Sequence, residues 1–311
     1  MNNRLYFGNA KIVALIATLC CALWGSAYPS IKLGYEWFAI EAADIPSKYV
    51  FAGYRFVLAG ALLLILARLT GKRVFSLSRQ EIGSLAVLGF VQTAVQYLFF
   101  YIGVSNTTGV KGSIMNSTTT FFSVVLAHYL YKNDKLGRNK LLGCLLGFAG
   151  VVVVNFHQDL LTFSFSMTGE GFIVIAAFVF SVSAIYAKAL TKRLDVMLIT
   201  GYSLFLGGVV LTVLGLGMGG SVTHFTPAST SILIYLALLS SIAFCLWNVL
   251  LKYNKVGQVS VYNFLIPVFG TLLSGLLLGE TVLELKNLIA LVFVSFGIFL
   301  VYREKPPLER A

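Results

Sequence analysis

The sequence predicts an all-α membrane protein of ten transmembrane helices in two inverted five-helix repeats, with both termini cytoplasmic. Three observations predict it. The 311-residue chain is 58% hydrophobic and only 11% charged, where a soluble domain carries about 25% charged residues. Its lysines and arginines fall almost entirely in one alternate set of loops. A stretch near its C-terminal end also repeats a stretch just before its middle.

That repeat organises the chain. Val256–Tyr302 reads as two apolar segments, Val259–Leu278 and Leu288–Tyr302, joined by Gly279-Glu280-Thr281 and a few polar residues. The register that puts Ser260 on Ser113 matches this stretch, without a gap, to Gly109–Asn155. Ser260-Val261-Tyr262-Asn263 then falls on Ser113-Ile114-Met115-Asn116, so both copies carry S-x-x-N. Gly297 falls on Gly150 and Leu288 on Leu141, whereas Pro267 falls on Thr120 and Glu280 on Asn133. Internal repeats in a membrane chain predict a transporter built from duplicated bundles.

A spanning helix needs about 20 mostly apolar residues, and the spans follow in order. Ile12–Leu33 comes after Arg4 and Lys11. Its apolar run exceeds the roughly 7–15 residues of a signal peptide, so it reads as the first span. Tyr49–Leu69 holds Arg55, the one charge well inside a span. Ile82–Val104 carries Gln92 and Gln96, and Gly109–Tyr129 carries the first S-x-x-N. Lys140–Val154 is a short fifth span. Gly169–Leu190 repeats the first, with Gly25–Lys32 falling on Ser181–Lys188. Val196–Met218, Thr230–Leu251, Val259–Leu278 and the short Asn287–Tyr302 complete the set.

Five helices per repeat is an odd number, so the second repeat enters the membrane from the opposite face. The repeats divide the chain at 1–157 and 158–311, within one integrated membrane domain. One set of termini and loops holds eighteen of the 23 Lys and Arg residues, and the other at most Lys32, Lys48, Lys111 and Lys286. Cytoplasmic loops carry the positive excess, which puts both termini in the cytoplasm and the chain in the cell membrane as a multi-pass protein.

Several function classes lose their parts list. The net charge of +11 sits in short inter-helical loops and forms no nucleic-acid patch. Cys20, Cys21, Cys144 and Cys245 lie in apolar segments without a C-x-x-C, and read as small packing residues. The three dispersed histidines and the lack of clustered carboxylates or H-E-x-x-H argue against an enzyme, a metal or a cofactor. No filter-like loop or charge ring suggests a channel. No Asp or Glu lies deep in a span: Glu280 ends the ninth and Glu170 begins the sixth. Facilitated diffusion or exchange is therefore expected over a carboxylate proton relay, with His128 a weak relay candidate.

A solute carrier needs polar groups at mid-membrane, where they are otherwise expensive. The candidates are Trp24 and Tyr28 in the first span, and Gln92, Gln96 and Tyr97 in the third. Asn116 and Thr119 in the fourth, Trp247 and Asn248 in the eighth, and Tyr262 and Asn263 in the ninth complete them. Gln92 and Gln96, four apart, share one helical face. Asn116 and Asn263 occupy equivalent repeat positions; they either bind solute or form interhelical hydrogen bonds. The aromatics serve as cavity walls, while Tyr35 and Trp37 read as an outer aromatic belt. Pro29 and Pro267 interrupt two spans and are candidate hinges. Arg55 is expected to bond carbonyls or pair with Glu41 or Asp44, ahead of a substrate role, and Lys111 to lie nearer the cavity face. Lys32 and Lys188 sit at helix C-termini on opposite sides, where a cation complements the dipole. Gly143-x-x-x-Gly147 permits close approach, within the chain or to a second copy, so the protein is a monomer or a homodimer.

Trp24-Gly25-Ser26 followed by Lys32, then Pro267, Gly279-Glu280 and Gly297, resembles an EamA-type repeat of the drug/metabolite transporter superfamily. The first copy departs from the pattern, with Thr120 for the proline and Lys132-Asn133 for Gly-Glu. The resemblance implies a ten-helix carrier of small organic solutes, commonly an exporter of amino acids and other metabolites. The reading is a secondary transporter exporting a small polar metabolite by alternating access through a central cavity, with only that small molecule and the lipid bilayer as partners. The alternative is an exporter of drug-like, aromatic or cationic compounds, or a channel.

Overall fold

The computed structural model describes residues 3–107, 109–156, 165–278 and 285–303. Among these, eight helices are long and apolar enough to cross a membrane. They are α1 (Ala10–Trp37), α2 (Ile45–Leu69), α3 (Arg79–Ser105), α6 (Met167–Leu190), α7 (Val196–Gly217), α8 (Pro227–Tyr253), α9 (Val256–Ser274, extended to Leu278) and α10 (Leu285–Tyr302). The remaining two expected spans have a different form. The fourth, α4, is two helices, Gly109–Asn116 and Thr118–Leu130, and the fifth, α5, is Arg138–Val154, of 17 residues. A short helix, Asn3–Phe7, precedes α1.

Local chemistry sets these boundaries. Asn9 accepts from the Lys11 N–H, Asp44 from Ser47 and Asp195 from Met197, each at 2.9–3.0 Å, so three helices start on a side-chain cap. Ser78 with Glu81, and Thr226 with Ser229, form reciprocal capping boxes at the starts of α3 and α8. The break in α4 corrects the continuous span expected there. The hydroxyls of Ser117, Thr118 and Thr119 donate to the carbonyls of Ile114, Met115 and Asn116 at 2.6–2.7 Å. Three successive short-range bonds compete with the helical ladder.

Two further departures matter for the site. Within α3, Phe90–Val95 is π-helical, and the Gln96 N–H bonds to the Val91 carbonyl. The extra residue in that turn shifts the register between Gln92 and Gln96. In α9, Val261–Phe264 forms a 3-10 turn just ahead of Pro267. Pro267 has no N–H for the Asn263 carbonyl, so the preceding turn tightens. Pro267 therefore lies in the first turn of Leu265–Leu278 rather than at mid-helix, whereas Pro29 is inside α1.

Packing is dominated by two close helix pairs, α2 along α7 and α5 along α10. Small residues let the backbones meet: a methyl on Gly143 would fall within 2.5 Å of the Gly297 carbonyl, and one on Gly297 within 2.6 Å of the Gly143 carbonyl. Gly143 and Gly147 are thus used inside the chain, with Gly147 against Phe264. Helix α1 packs on α8 and α9, and α6 packs on α3 and α4. One apolar core joins α1, α5, α9 and α10 around Cys20, Cys21, Val151, Phe264 and Val294. Another joins α2, α3, α7 and α8 around Phe56, Leu204, Leu211 and Phe244. All four cysteines are free thiols, and three of them are buried.

Candidate functional site

The α1–α8/α9 and α3/α4–α6 contacts leave a cavity of about 370 Å³ between them. That is at the small end of the roughly 300–1,000 Å³ typical of ligand sites. Helix α1 contributes Trp24, Tyr28, Lys32 and Tyr35 to its wall, and α2 contributes Lys48 and Arg55. Gln96, Tyr97, Phe100 and Tyr101 come from α3, and Ser113, Asn116, Ser117 and Thr119 from α4. Phe180 of α6, Phe244 of α8, and Asn263, Ile266 and Pro267 of α9 close it.

The wall is largely aromatic, and the rings brace one another. Trp24 meets Phe244 edge-on at 5.4 Å and Trp247 at 5.1 Å. Tyr97 lies 4.6 Å from Phe56 and 5.8 Å from Tyr101. Polar groups are set into this surface. The Tyr28 hydroxyl is directed at the Asn116 side chain. Gln96 Oε1 and Asn263 Oδ1 are buried with no hydrogen-bond partner among the described residues, whereas the Tyr35 hydroxyl pairs with that of Tyr101. Buried polar atoms are nearly always paired, so two orphans on one wall mark that wall as unusual.

The structure brings together seven of the eleven predicted site residues: Trp24, Tyr28, Gln96, Tyr97, Asn116, Thr119 and Asn263. It places the other four off the wall, and each correction has a cause. Gln92 is buried among the helices away from the wall. Trp247 stands behind Trp24. Asn248 donates to Thr200 Oγ1 at 2.9 Å, joining α8 to α7. Tyr262 packs edge-on against Tyr302 of α10 at 5.9 Å.

Other expectations are also corrected. Arg55 pairs with neither Glu41 nor Asp44; its Nε donates to Ser240 Oγ at 2.7 Å and it faces the cavity. Tyr35 is on the cavity wall, 5.5 Å from Phe51, and only Trp37 is exposed as a belt residue would be. Lys32 lies at the cavity mouth because α1 continues to Trp37. Lys111 is off the wall, 3.8 Å from Glu170, which also accepts from Thr107 Oγ1 at 2.7 Å. His128 accepts the Leu136 N–H at 2.9 Å through Nδ1 and shapes the turn after α4. The Gly279-Glu280 motif lies outside the described residues.

The opposite end is bolted by Asp134, which sequence reasoning missed, and by Lys188, which it placed at a helix C-terminus but not on the end of α8. Asp134, buried after α4, accepts Lys140 Nζ at 2.9 Å and the Gly257 N–H at 2.8 Å. Lys188 Nζ donates to the Leu251 carbonyl at 2.6 Å and to that of Asn254, at the end of α8. A single aspartate in a basic loop carries no periodic signal, so this clamp was not legible.

A multi-pass helical membrane protein with a polar-studded cavity between its helices is built as a transporter rather than as an enzyme. The chain belongs to the EamA-like transporter family, whose sequence model matches residues 11–156 and again 167–303. It is similar to the uncharacterized transporter YdfC of Bacillus subtilis, at 25% identity over 92% of this chain and 89% of that one. It is 29% identical to an uncharacterized transporter of Archaeoglobus fulgidus, over 88% of this chain and 91% of that one. A solved protein structure, described only as such, shares the fold with a TM-score of 0.76 at 18% identity, covering 94% of this chain and 96% of that one.

Proposed function

We propose that the protein is a secondary carrier in the cell membrane that exports a small polar organic metabolite, an amino acid or a related compound. It works by alternating access through the cavity between α1, α3, α4 and α9. The observation that carries this reading is the pair of orphaned atoms on the wall, Gln96 Oε1 and Asn263 Oδ1. Leaving buried polar groups unpaired costs about 1–3 kcal/mol each, which a polar solute offsets when it binds. For Asn263 the packing explanation loses its support, because its side chain makes no interhelical hydrogen bond among the described residues.

In this reading the chain is two inverted five-helix repeats, 1–157 and 158–311, with ten spans and both termini cytoplasmic. Support comes from the pattern of helix contacts. Adding five to each helix number turns α1–α8 into α6–α3, and α1–α9 into α6–α4, while α2–α7 and α5–α10 map onto themselves. The Asp134 and Lys188 clamp seals the cytoplasmic end, so the cavity faces outward. Pro29 and Pro267 are the hinges. The wall is complete within one chain, so the monomer is the transport unit.

Counterflow tests the reading. Proteoliposomes preloaded with an unlabelled amino-acid mixture should take up labelled members of that mixture faster than empty ones. Equal uptake in both would point to a channel or to no transport.

A further inference from the structure

We infer that Arg55 is an anion anchor, and that the cargo carries a carboxylate on a flat apolar body. This deepens the carrier reading and rests on it.

Arg55 is 2% exposed, in the middle of the bundle, with no carboxylate paired to it among the described residues. The ion pairs among the described residues are Lys72–Asp195, Lys111–Glu170 and Lys140–Asp134, and Arg55 belongs to none. Its one hydrogen bond is from Nε to Ser240 Oγ. Ser240 donates its own proton to the Leu236 carbonyl at 2.7 Å, so its oxygen is held ready to accept from Arg55. A guanidinium has five N–H donors. The bond at Nε fixes its plane and leaves the four donors of the fork without a protein acceptor among the described residues. The Phe56 ring, 5.0 Å from the Arg55 Cζ, offsets part of the buried charge, but a buried cation without a carboxylate partner remains costly. The fork that remains has the geometry that binds a carboxylate bidentately.

The surroundings select the cargo further. Among the described residues no Asp or Glu lines the cavity. Lys32 and Lys48 stand on its wall towards the ends of α1 and α2 that meet at the mouth, and Lys48 Nζ bonds the Ala42 carbonyl at 2.5 Å. The charged groups on the wall itself are therefore all cationic, which favours an anionic group on the cargo. Tyr35, Tyr97 and Tyr101 lie within the electrostatic reach of Arg55, so the anchored group sits among ring faces. Among the cations on the wall only Arg55 offers a planar fork; Lys32 and Lys48 are point charges. Gln96 Oε1 and Asn263 Oδ1 then accept from any N–H or O–H on the body of the cargo.

Four matched probes test this on the purified full-length protein: 3-phenylpropionate, phenylalanine, phenethylamine and phenyl phosphate. In thermal-shift titrations the two carboxylates should stabilise the wild type and phenethylamine should not. Arg55→Gln should weaken carboxylate binding roughly 30-fold or more, and Arg55→Lys should weaken it less. Should Arg55→Gln fail to fold, the wild-type comparison still decides, and Ser240→Ala should weaken carboxylate binding alone. Phenethylamine binding as tightly as the carboxylates overturns the inference. So does phenyl phosphate binding most tightly, no stabilisation by either carboxylate, or Arg55→Gln binding like the wild type. Counterflow separates this from the carrier reading: Arg55-dependent carboxylate binding without counterflow retires the carrier and leaves the anchor. Counterflow of phenethylamine that ignores Arg55 retires the anchor and leaves the carrier.

Discussion

The Asp134 carboxylate reaches the Gly257 N–H at 2.8 Å, so the turn after α4 is tied to the first turn of α9. The same carboxylate holds Lys140 Nζ at 2.9 Å, and both side chains are almost wholly buried. These helices carry Asn116 and Asn263, and the tie fixes the spacing of that pair at the sealed end.

Asp134→Ala should therefore destabilise the protein by about 3 kcal/mol or more, because it leaves the buried Lys140 charge without its carboxylate. Adding Lys140→Met to the same variant should restore much of the loss. Unfolding in mixed detergent micelles measures both; an unchanged midpoint for Asp134→Ala would show that the clamp carries no load.

Asn116→Leu and Asn263→Leu should each abolish counterflow and leave insertion intact. The Asn263 side chain has no hydrogen bond to lose among the described residues, so its replacement should change stability by less than about 1 kcal/mol. Transport that persists with unchanged affinity in both variants would remove the pair from the site.

The sequence presents the two glutamines of α3 as equals, but only Gln96 lies on the wall. Gln96→Leu should cut the counterflow rate about fivefold, the worth of one hydrogen bond of about 1 kcal/mol. Gln92→Leu should leave it near the wild-type rate, since Gln92 is off the wall. Equal losses would mean that both side chains reach the solute.

Helix approach gives a prediction with its own control. Gly143→Val should destabilise by about 1–3 kcal/mol, because its side chain would be driven into the Gly297 carbonyl. Gly83→Ala, also within a helix, meets nothing within 4 Å and should be neutral or stabilising by about 0.5–1 kcal/mol. Thermal unfolding of the two variants side by side checks both.

Among the described residues no Asp or Glu lines the cavity, so solute exchange should not depend on a proton gradient. Counterflow measured with and without a protonophore should agree; a rate that collapses with the gradient would require an acid that the wall does not contain.

The sequence by itself determined that the chain lies in the membrane, where most of its helices run, and that its second half echoes its first. Length and hydropathy are local quantities, and spanning a bilayer is decided by them. It also supplied the mid-span polar residues from which the site is assembled. Only the tertiary structure decided which of them meet. Gln96 but not Gln92, and Trp24 but not Trp247, reach the wall. Arg55 and Tyr35, assigned elsewhere by position, face the cavity. The reason is that a membrane helix is apolar on its lipid side and its protein side alike. Its pattern therefore does not say which way it is rotated, and a neighbour's packing settles the matter.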